Sequence, residues 1–400
     1  MKIARVESFL FDPGSTRNML FCRVETECGV HGWGEAYVTS ETEKPVDAFL
    51  RAMAPHLIGR NAFDIRHTGQ VLFNDFVIRR NSVQFLSAWS AVEIALWDIV
   101  AKAAGQPLYN LLGGKSRERI RLYANGWNDE PGTLDDAVER ALAVQARGFS
   151  AIKFGPVPGP ARTFIHREDE DYAVAYVRRM REALGPDMEL LVEISRRLAP
   201  MHAINIGRRI AEYDIRWFEE PCLADNIELV AEVRRSVPIP IVTGETLYTK
   251  EDFLKVFATR AADILNPDVC AMGGIAALMD VAAMAAPHAM AISPHNNNST
   301  LAGLAATVQV SAVIPNFVIA ECFVNRIEMC AAVATHGITI EAGWAELPQT
   351  PGIGVDLDVA AVRRSPYREY TRRFRQSWEE FPRRSYAAGG KARGAGGEPV

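Results

Sequence analysis

The pattern of apolar and polar positions along the chain changes near residue 119. Before it, residues 2–11 and 19–27 alternate with a period of two, and a glycine-rich turn is predicted at 29–34, so antiparallel strands joined by hairpins are expected. From about 45 to 112 the apolar positions follow the helical period, and Gly113-Gly114 ends that stretch. The first part of the chain is therefore predicted to be an α+β domain.

Beyond residue 119, eight short apolar runs recur, with helical stretches between most of them. The runs are 120–122, 151–154, 190–194, 215–218, 239–242, 262–265, 289–292 and 317–320. The capping box Thr249-x-x-Asp252 predicts the start of one intervening helix. This alternation predicts an α/β fold built on a parallel (β/α)-barrel. A doubly wound open sheet is the alternative, but no GxGxxG motif follows a strand here.

Composition and charge exclude several classes of protein. The formal net charge is −5 with both signs interspersed, so no broad basic surface for nucleic acid is expected. The six cysteines form no CxxC pair, which is typical of reduced thiols in a cytoplasmic protein. The first residues lack the apolar core of a signal peptide, and no apolar run approaches the roughly 18 residues of a membrane span. We therefore expect a small-molecule partner, with no nucleic acid and no membrane.

Each apolar run from the second onward carries, within it or just after it, a side chain able to do chemistry. These side chains are Lys153, Glu193, Glu219, Glu245, Asp268, His295 and Glu321. From Glu193 onward their spacing is 23 to 27 residues, enough for one strand, one helix and two loops. In a barrel they would all lie at the same end, where the active sites of this fold form.

Taken singly, these residues have plainer explanations. Glu219 and Glu245 could lie in solvated turns. His295 could be a hydrogen-bonded core histidine, and Lys153 could form a salt bridge at the barrel end. Their shared spacing favours one common site, because three converging carboxylates repel one another unless a cation neutralises them. Three oxygen ligands completed by water and substrate are typical of Mg²⁺.

Several motifs resemble those of the enolase superfamily, in particular its mandelate racemase subgroup. The stretches SAWSAVEIALWDIVAK (87–102) and QPLYNLLGG (106–114) are similar to the signature of that family's capping domain. The motifs WFEEP (217–221), TGE (243–245), NPD (266–268) and SPH (293–295) are similar to those of its barrel. The resemblance extends from residue 1 to about 374 and implies a (β/α)7β TIM-like barrel with an α+β capping domain.

The resemblance also implies a domain division. It places the capping domain at 1–119 and the catalytic barrel at 120–349, with the segment 350–384 returning to the cap. The remaining tail, 385–400, is rich in Gly, Ala and basic residues and is predicted to be disordered. Relatives of this kind imply a homo-oligomer.

Roles for the individual residues follow from the same resemblance. The positions of the three metal ligands are taken by Glu193, Glu219 and Glu245. His295 corresponds to the base, and Asp268 to the carboxylate that holds its imidazole in one tautomer. Lys153 corresponds to the lysine that faces the substrate carboxylate, and Glu321 to an acid that hydrogen-bonds the developing enediolate when protonated. Superfamily sites of this type use a Lys or His base together with Mg²⁺.

Three departures from the family pattern bear on the chemistry. The first metal-ligand position usually carries Asp, and here it is Glu193, one methylene longer. The racemase motif Lys-x-Lys is replaced by Lys153-Phe154-Gly155, so the second lysine base is missing. Many sugar-acid dehydratases have a histidine where this chain has Ser195. His295 is therefore expected to be the only strong base at the site.

A single base favours one outcome of the reaction. Loss of a proton beside a carboxylate places two charges on one enediolate, which a metal and Lys153 would neutralise. Racemisation needs a base on each face, whereas β-elimination can proceed with one histidine that takes the α-proton and then protonates the departing hydroxide. We therefore predict a hydro-lyase of carbohydrate catabolism that converts a sugar acid (an aldonate or aldarate) to a 2-keto-3-deoxy acid.

Two alternatives stay open. One is an isomerase, either a racemase or epimerase or a cycloisomerase acting on a hydroxy acid or sugar lactone. The other is a relative that binds metal or sugar acid without catalysis, which the changes at Glu193, Gly155 and Ser195 would favour.

Candidate substrate contacts are less sharply indicated. Asn125 and Trp127 follow the first barrel strand and could contact substrate or pack the cap against the barrel. Arg197 could bind a distal carboxylate or pair with a neighbouring acid at the surface. The cap segments 11–18 and 76–80 could close over the substrate. Other polar residues expected near the barrel mouth are Arg196, Tyr248, Asn296, Asn297 and Asn298.

Overall fold

The computed structural model describes residues 1–14, 17–75, 82–129, 132–157, 164–296 and 299–370. The cap segment 76–80, Asn297, Asn298 and the tail 385–400 lie outside the described residues. The chain divides into two compact units. The described residues of unit 1 come from Met1–Tyr123, Gly244–Phe257 and Ile264–Tyr370, and those of unit 2 from Ala124–Thr243 and Ala258–Asp263.

Unit 1 begins with a three-stranded antiparallel sheet. Its strands, in spatial order, are β1 (Ile3–Phe11), β2 (Met19–Thr26) and β3 (His31–Ala36). The two alternating runs are confirmed as strands. The turn predicted at 29–34 is wrong from His31 onward, because that part pairs with β2 as β3.

Four helices follow this sheet; the first and third pack on it, and the second and fourth contact the third. They are α1 (Glu43–Leu57), α2 (Ile65–Asp75), α3 (Val83–Ala103) and α4 (Leu108–Leu111). The Ser82 hydroxyl caps α3 by accepting a hydrogen bond from the backbone N–H of Phe85. By length and composition α3 could cross a membrane, but 78% of its most apolar window is buried inside the fold, as in the core helix of a globular domain. This burial explains why α3 is apolar nearly all round.

The next part of the chain alternates strands and helices. The elements are β4 (Arg119–Asn125), α5 (Leu134–Ala146), β5 (Ala151–Phe154), α6 (Arg167–Leu184), β6 (Glu189–Glu193), α7 (Pro200–Ile210), β7 (Ile215–Glu219), α8 (Ile227–Ser236), β8 (Ile241–Thr243), α9 (Lys250–Thr259), β9 (Ile264–Leu265), α10 (Ile275–Ala285), β10 (Ala291–Ile292), α11 (Ala302–Val313) and β11 (Ala320–Phe323). The chain ends, within the described residues, with α12 (Ile327–Ala331), β12 (Ala334–His336), β13 (Ile340–Glu341), β14 (Trp344–Glu346), β15 (Asp356–Leu357) and α13 (Val359–Arg364). Thr249 and Asp252 form the predicted capping box before α9.

The strand order is that of a barrel. Strands β4 to β10 are neighbours in chain order, and β11 pairs with β4, so the order returns to its start. An open doubly wound sheet is excluded by this pairing. All eight apolar runs overlap a strand, although 317–320 overlaps β11 only at Ala320. Phe317 instead forms an isolated parallel bridge to Ile292.

The segment after residue 350 contacts the start of the chain. The Asp12 backbone N–H donates to the carbonyl of Ser365 at 2.9 Å, and Phe11 bridges Pro366. All six cysteines are free thiols, five of them buried.

Candidate active site

In unit 2, a lysine and two glutamates lie together on three neighbouring strands. Glu193 and Glu219 are the last residues of β6 and β7 and pair in register. The buried Lys153 of β5 donates from Nζ to Oε1 of Glu219 at 2.8 Å and lies 3.4 Å from Oε2 of Glu193. Trp217 donates from Nε1 to the other oxygen of Glu219 at 2.9 Å. Both oxygens of the fully buried Glu219 are therefore held in place.

The loop after β6 reaches back to Glu193. The Ser195 hydroxyl donates to Oε1 of Glu193 at 2.6 Å. Ser195 and Arg196 both have left-handed backbones, with φ of 51° and 64°. The Arg196 N–H donates to the Glu220 carbonyl, which connects this loop to the end of β7.

In unit 1, a buried histidine pairs with a buried aspartate. Nδ1 of His295 lies 2.7 Å from Oδ2 of Asp268, and Oδ1 of Asp268 accepts a hydrogen bond from the Cys270 backbone N–H. The other ring nitrogen, Nε2, lies 3.3 Å from Oε2 of Glu245 and 3.6 Å from Oε2 of Glu321. Three carboxylates therefore surround one imidazole.

This environment sets the ionisation of His295. Burial by itself would lower the pKa of the imidazole, but the negative charges of Glu321 and Glu245, together with the hydrogen bond to Asp268, raise the pKa of His295 to about 10. In the metal-free protein the histidine is consequently a cation at neutral pH.

Backbone groups fix the two acids beside His295. Oε2 of Glu321 accepts a hydrogen bond from the Asn296 N–H at 2.8 Å. The Glu245 N–H donates to Oδ1 of Asn266 at 3.1 Å. The first contact holds the Glu321 carboxylate itself, and the second holds the backbone from which the Glu245 side chain extends.

A metal ion fits the glutamate group. Glu193, Glu219 and Glu245 each offer a carboxylate oxygen, and these oxygens lie within 4.8 Å of one another. Two Mg–O bonds of about 2.1 Å span at most about 4.2 Å, so a separation of 4.8 Å would have to shorten by about 0.6 Å when the ion binds. The all-oxygen donor set is also one that suits a hard divalent cation rather than zinc.

The three predicted substrate contacts make the following interactions. Trp127 is buried and donates from Nε1 to the Lys153 carbonyl at 2.8 Å. The Asn125 side chain accepts a hydrogen bond from the Gly126 N–H. Arg197 donates from Nη1 to the Val157 carbonyl at 2.7 Å. Trp127 thus holds the backbone at Lys153, and Arg197 holds it at Val157, beyond the end of β5.

Sequence reasoning missed three residues near these groups. Trp217 shares a strand face with Glu219, and the period of two along β7 could have indicated it. The Tyr37 ring lies 6.4 Å from that of His295. Glu35 of β3 is buried and accepts hydrogen bonds from the Ser299 hydroxyl and the Gly303 N–H. No local pattern connects β3 with the loop after β10.

These features define a TIM-like (β/α)-barrel protein with an N-terminal α+β capping domain and an acidic site at its strand ends. The family model described as Enolase C-terminal domain-like matches residues 136–362, and the model for the Mandelate racemase / muconate lactonizing enzyme N-terminal domain matches residues 11–113. The chain belongs to the mandelate racemase/muconate lactonizing enzyme group of the enolase superfamily.

Similar proteins include enzymes with different reaction outcomes. A D-galactonate dehydratase of Ralstonia pickettii is 31% identical, with the match covering 90% of this chain and 94% of that protein. A D-galactarolactone cycloisomerase of Agrobacterium fabrum is also 31% identical, covering 90% and 98%. A solved enolase structure from Agrobacterium radiobacter, described as a candidate galactarate dehydratase with bound Na and L-malate, has a TM-score of 0.85 at 26% identity and covers 93% of this chain and 97% of that one.

Proposed function

We propose that this chain is a Mg²⁺-dependent sugar-acid dehydratase, a hydro-lyase that converts an aldonate or aldarate to a 2-keto-3-deoxy acid in the cytoplasm. The observation that carries the proposal is the buried His295–Asp268 pair, because it supplies one oriented base next to carboxylates suited to a cation. Two similar proteins, the Ralstonia enzyme and the Agrobacterium radiobacter structure, bear dehydratase names.

The metal would be held by Glu193, Glu219 and Glu245. When bound, it would supply positive charge to the substrate carboxylate and so make the neighbouring C–H more acidic. Lys153 is the ammonium beside two of these ligands, and we assign it to the same carboxylate. The L-malate in the Agrobacterium radiobacter structure is a ligand of the chemistry proposed here, a 2-hydroxy carboxylate.

His295 would carry out both proton transfers. With Nδ1 bonded to Asp268, the neutral imidazole presents the lone pair of Nε2 and takes the proton from the α-carbon. The C–H electron pair becomes the carbon–carbon double bond of the enediolate as the π electrons of the carboxylate C=O move onto its oxygen. Glu321 in its protonated form would donate a hydrogen bond to that oxygen. The enediolate electrons then form the Cα–Cβ double bond as the β-hydroxyl leaves, taking the proton from Nε2 to become water. The resulting enol tautomerises to the 2-keto-3-deoxy acid.

The residue that follows β5, the second strand of the barrel, supports elimination over racemisation. Gly155 carries no side chain, and a Cβ built there would lie 3.3 Å from the Glu193 carbonyl and 3.9 Å from Arg197 Nη1. A base at this position is therefore absent from the chain.

The remaining assignments are also part of this proposal. Asn125, Trp127 and Arg197 are proposed as substrate contacts, and the domain limits are proposed at residues 119, 349 and 384.

A cycloisomerase is the second candidate, favoured by the 31% identity to the Agrobacterium fabrum enzyme, which equals the identity to the dehydratase. Both reactions can begin with removal of an α-proton. They differ in whether water is lost.

The test is a panel of aldonates, aldarates and their lactones with Mg²⁺ in D₂O. Dehydration gives a 2-keto acid, whereas deuterium uptake or ring opening without loss of water supports the isomerase. His295→Asn should abolish either reaction. His202→Asn is a matched control, because His202 is also buried and its Nδ1 also lies 2.7 Å from a carboxylate, that of Glu170. A panel that shows neither turnover nor α-proton exchange would contradict the proposal.

A further inference from the structure

Glu193 is less buried than the other metal-ligand candidate of unit 2. Its side chain is 18% exposed, whereas that of Glu219 is fully buried. Glu219 is held at both oxygens by Lys153 and Trp217. Glu193 has a contact of 3.4 Å to Lys153 at Oε2, longer than a good charged hydrogen bond. A second and shorter contact, at the other oxygen of Glu193, comes from Ser195.

We infer that Ser195 is a positioning residue that fixes the Glu193 carboxylate for the metal. Its hydroxyl donates to Oε1 of Glu193 at 2.6 Å, the length of a strong hydrogen bond to a charged acceptor. One oxygen is thereby occupied by Ser195, and the other faces Lys153. The inference rests on the proposed metal site and deepens it, because it identifies a residue on which metal affinity depends.

The backbone of this loop is strained in the conformation that delivers the hydroxyl. Ser195 and Arg196 are consecutive non-glycine residues in the left-handed region, which each disfavours. Such conformations persist where the surroundings over-determine them, and they concentrate at functional sites.

Both neighbouring strands hold the strained turn. The backbone N–H groups of Ile194 and Arg196 donate to the carbonyls of Glu219 and Glu220 at 2.9 and 2.7 Å. The Arg197 guanidinium donates to the Val157 carbonyl at 2.7 Å, beyond the end of β5. The turn is thus fixed from two sides, and the hydroxyl of Ser195 meets Glu193 as a result.

The experiment is a double-mutant cycle on Mg²⁺ affinity, measured by titration calorimetry of the full chain. The variants are Ser195→Gly, Glu193→Asp and the double variant, with Ser195→Ala as a second removal of the hydroxyl. Glycine adopts the left-handed backbone of residue 195 without strain, whereas alanine keeps that strain. Comparing the two variants therefore separates the effect of losing the hydroxyl from the effect of relieving the backbone. Aspartate is one methylene shorter and withdraws the carboxylate from Ser195.

We expect S195G and S195A each to weaken Mg²⁺ binding about 10- to 100-fold, the usual effect of removing a group that orients a metal ligand. Thermal unfolding without metal should show S195G at least as stable as the parent, so that the loss of affinity cannot be a loss of folding. In the E193D background the same serine substitutions should change affinity less than threefold.

Two results overturn the inference while leaving the proposed metal site intact. One is unchanged Mg²⁺ affinity in S195G, and the other is an equal loss in the parent and E193D backgrounds. A parent chain that binds no Mg²⁺ overturns the proposed metal site, and this inference with it.

Discussion

His295 and Asp268 are joined by a 2.7 Å hydrogen bond between the imidazole Nδ1 and the carboxylate Oδ2. The second aspartate oxygen accepts the Cys270 N–H, so the carboxylate cannot rotate without breaking a buried contact. Asp268 thereby keeps a proton on Nδ1 and orients the ring so that Nε2 faces the carboxylates of Glu245 and Glu321.

The first prediction concerns this pair. Asp268→Asn replaces one acceptor with an amide that can donate to Nδ1, which favours the tautomer whose Nε2 carries the proton. We expect α-proton exchange, followed by NMR in D₂O, to fall about 10²- to 10⁴-fold, the range of a lost general base. Asp98→Asn is the control, since Asp98 is also buried and bonds the N–H groups of Trp33 and Ile353. Equal losses of exchange in the two folded variants would argue against an orienting role.

The second prediction is the titration of His295 itself. The folded pKa of about 10 lies above the ordinary 6.5, so in the metal-free protein this group stabilises the fold fully below pH 6.5. That contribution is lost as pH rises from 6.5 through about 10. Mg²⁺ bound at Glu245 would offset one of the charges that raise the pKa, and we expect the His295 pKa to move towards neutral. Imidazole ¹⁵N chemical shifts, recorded across pH with and without Mg²⁺, measure the pKa of His295. A pKa that does not change at saturating Mg²⁺ would contradict the assignment of Glu245 as a metal ligand.

The third prediction uses the position of Lys153 between two carboxylates. Lys153→Met removes the cation and leaves Glu219 and Glu193 close together, so we expect the metal-free protein to lose about 3–5 kcal/mol of unfolding free energy. Mg²⁺ should recover part of that loss, because a second cation then neutralises the same acids. Denaturant unfolding in EDTA measures the loss of stability in the metal-free protein, and unfolding in Mg²⁺ measures the part that is recovered. The same loss in the two conditions would show that the glutamates do not share an ion.

The periodic features of this protein could be predicted from its sequence. Glu193 and Glu219 lie 26 residues apart, and this spacing alone places them at the ends of neighbouring strands, where they pair in register. The recurring apolar runs also identified the strand that carries Lys153 and the strand that His295 follows. Strands and helices alternate regularly around a barrel.

The features that were not predicted from the sequence are set by contacts with residues distant along the chain. Glycines at 29–34 indicate a turn by composition. Gly32 and Gly34 instead lie in β3, because α3 passes so close that a Cβ would meet the carbonyls of Ala95 and Ala91. The left-handed turn at Ser195 and the contact of Glu35 with Ser299 also depend on elements that no local pattern reveals.

A fourth prediction follows from two buried acids in unit 1. Burial raises the pKa of Glu35 and that of Glu93 to about 7, although each accepts hydrogen bonds from backbone N–H groups. Between pH 4.5 and 7 the native state keeps a proton on each of these acids, whereas the unfolded chain, with an ordinary glutamate pKa of 4.5, releases it. The free energy of unfolding therefore falls as pH rises from 4.5 to 7, by up to about 1.4 kcal/mol per pH unit for each group.

Urea unfolding across this pH range checks the sign. Glu35→Gln and Glu93→Gln should each flatten the slope, whereas Glu118→Gln, at an exposed side chain, should leave it unchanged. A slope that survives in both buried variants would mean that other groups dominate this window.

The last prediction tests the close packing of β3 against α3. A Cβ at Gly34 would lie 1.9 Å from the Ala91 carbonyl oxygen, and that oxygen belongs to a helix backbone that cannot move aside alone. We expect Gly34→Ala to cost about 3 kcal/mol or more, at or above the upper end for overpacked cores. Gly337→Ala is the control, because its nearest neighbour would lie 4.0 Å away, and a change within about 0.5 kcal/mol is expected. Urea midpoints of the two variants decide the matter: similar midpoints would mean that β3 and α3 can separate without loss, and that the glycines of this strand have another purpose.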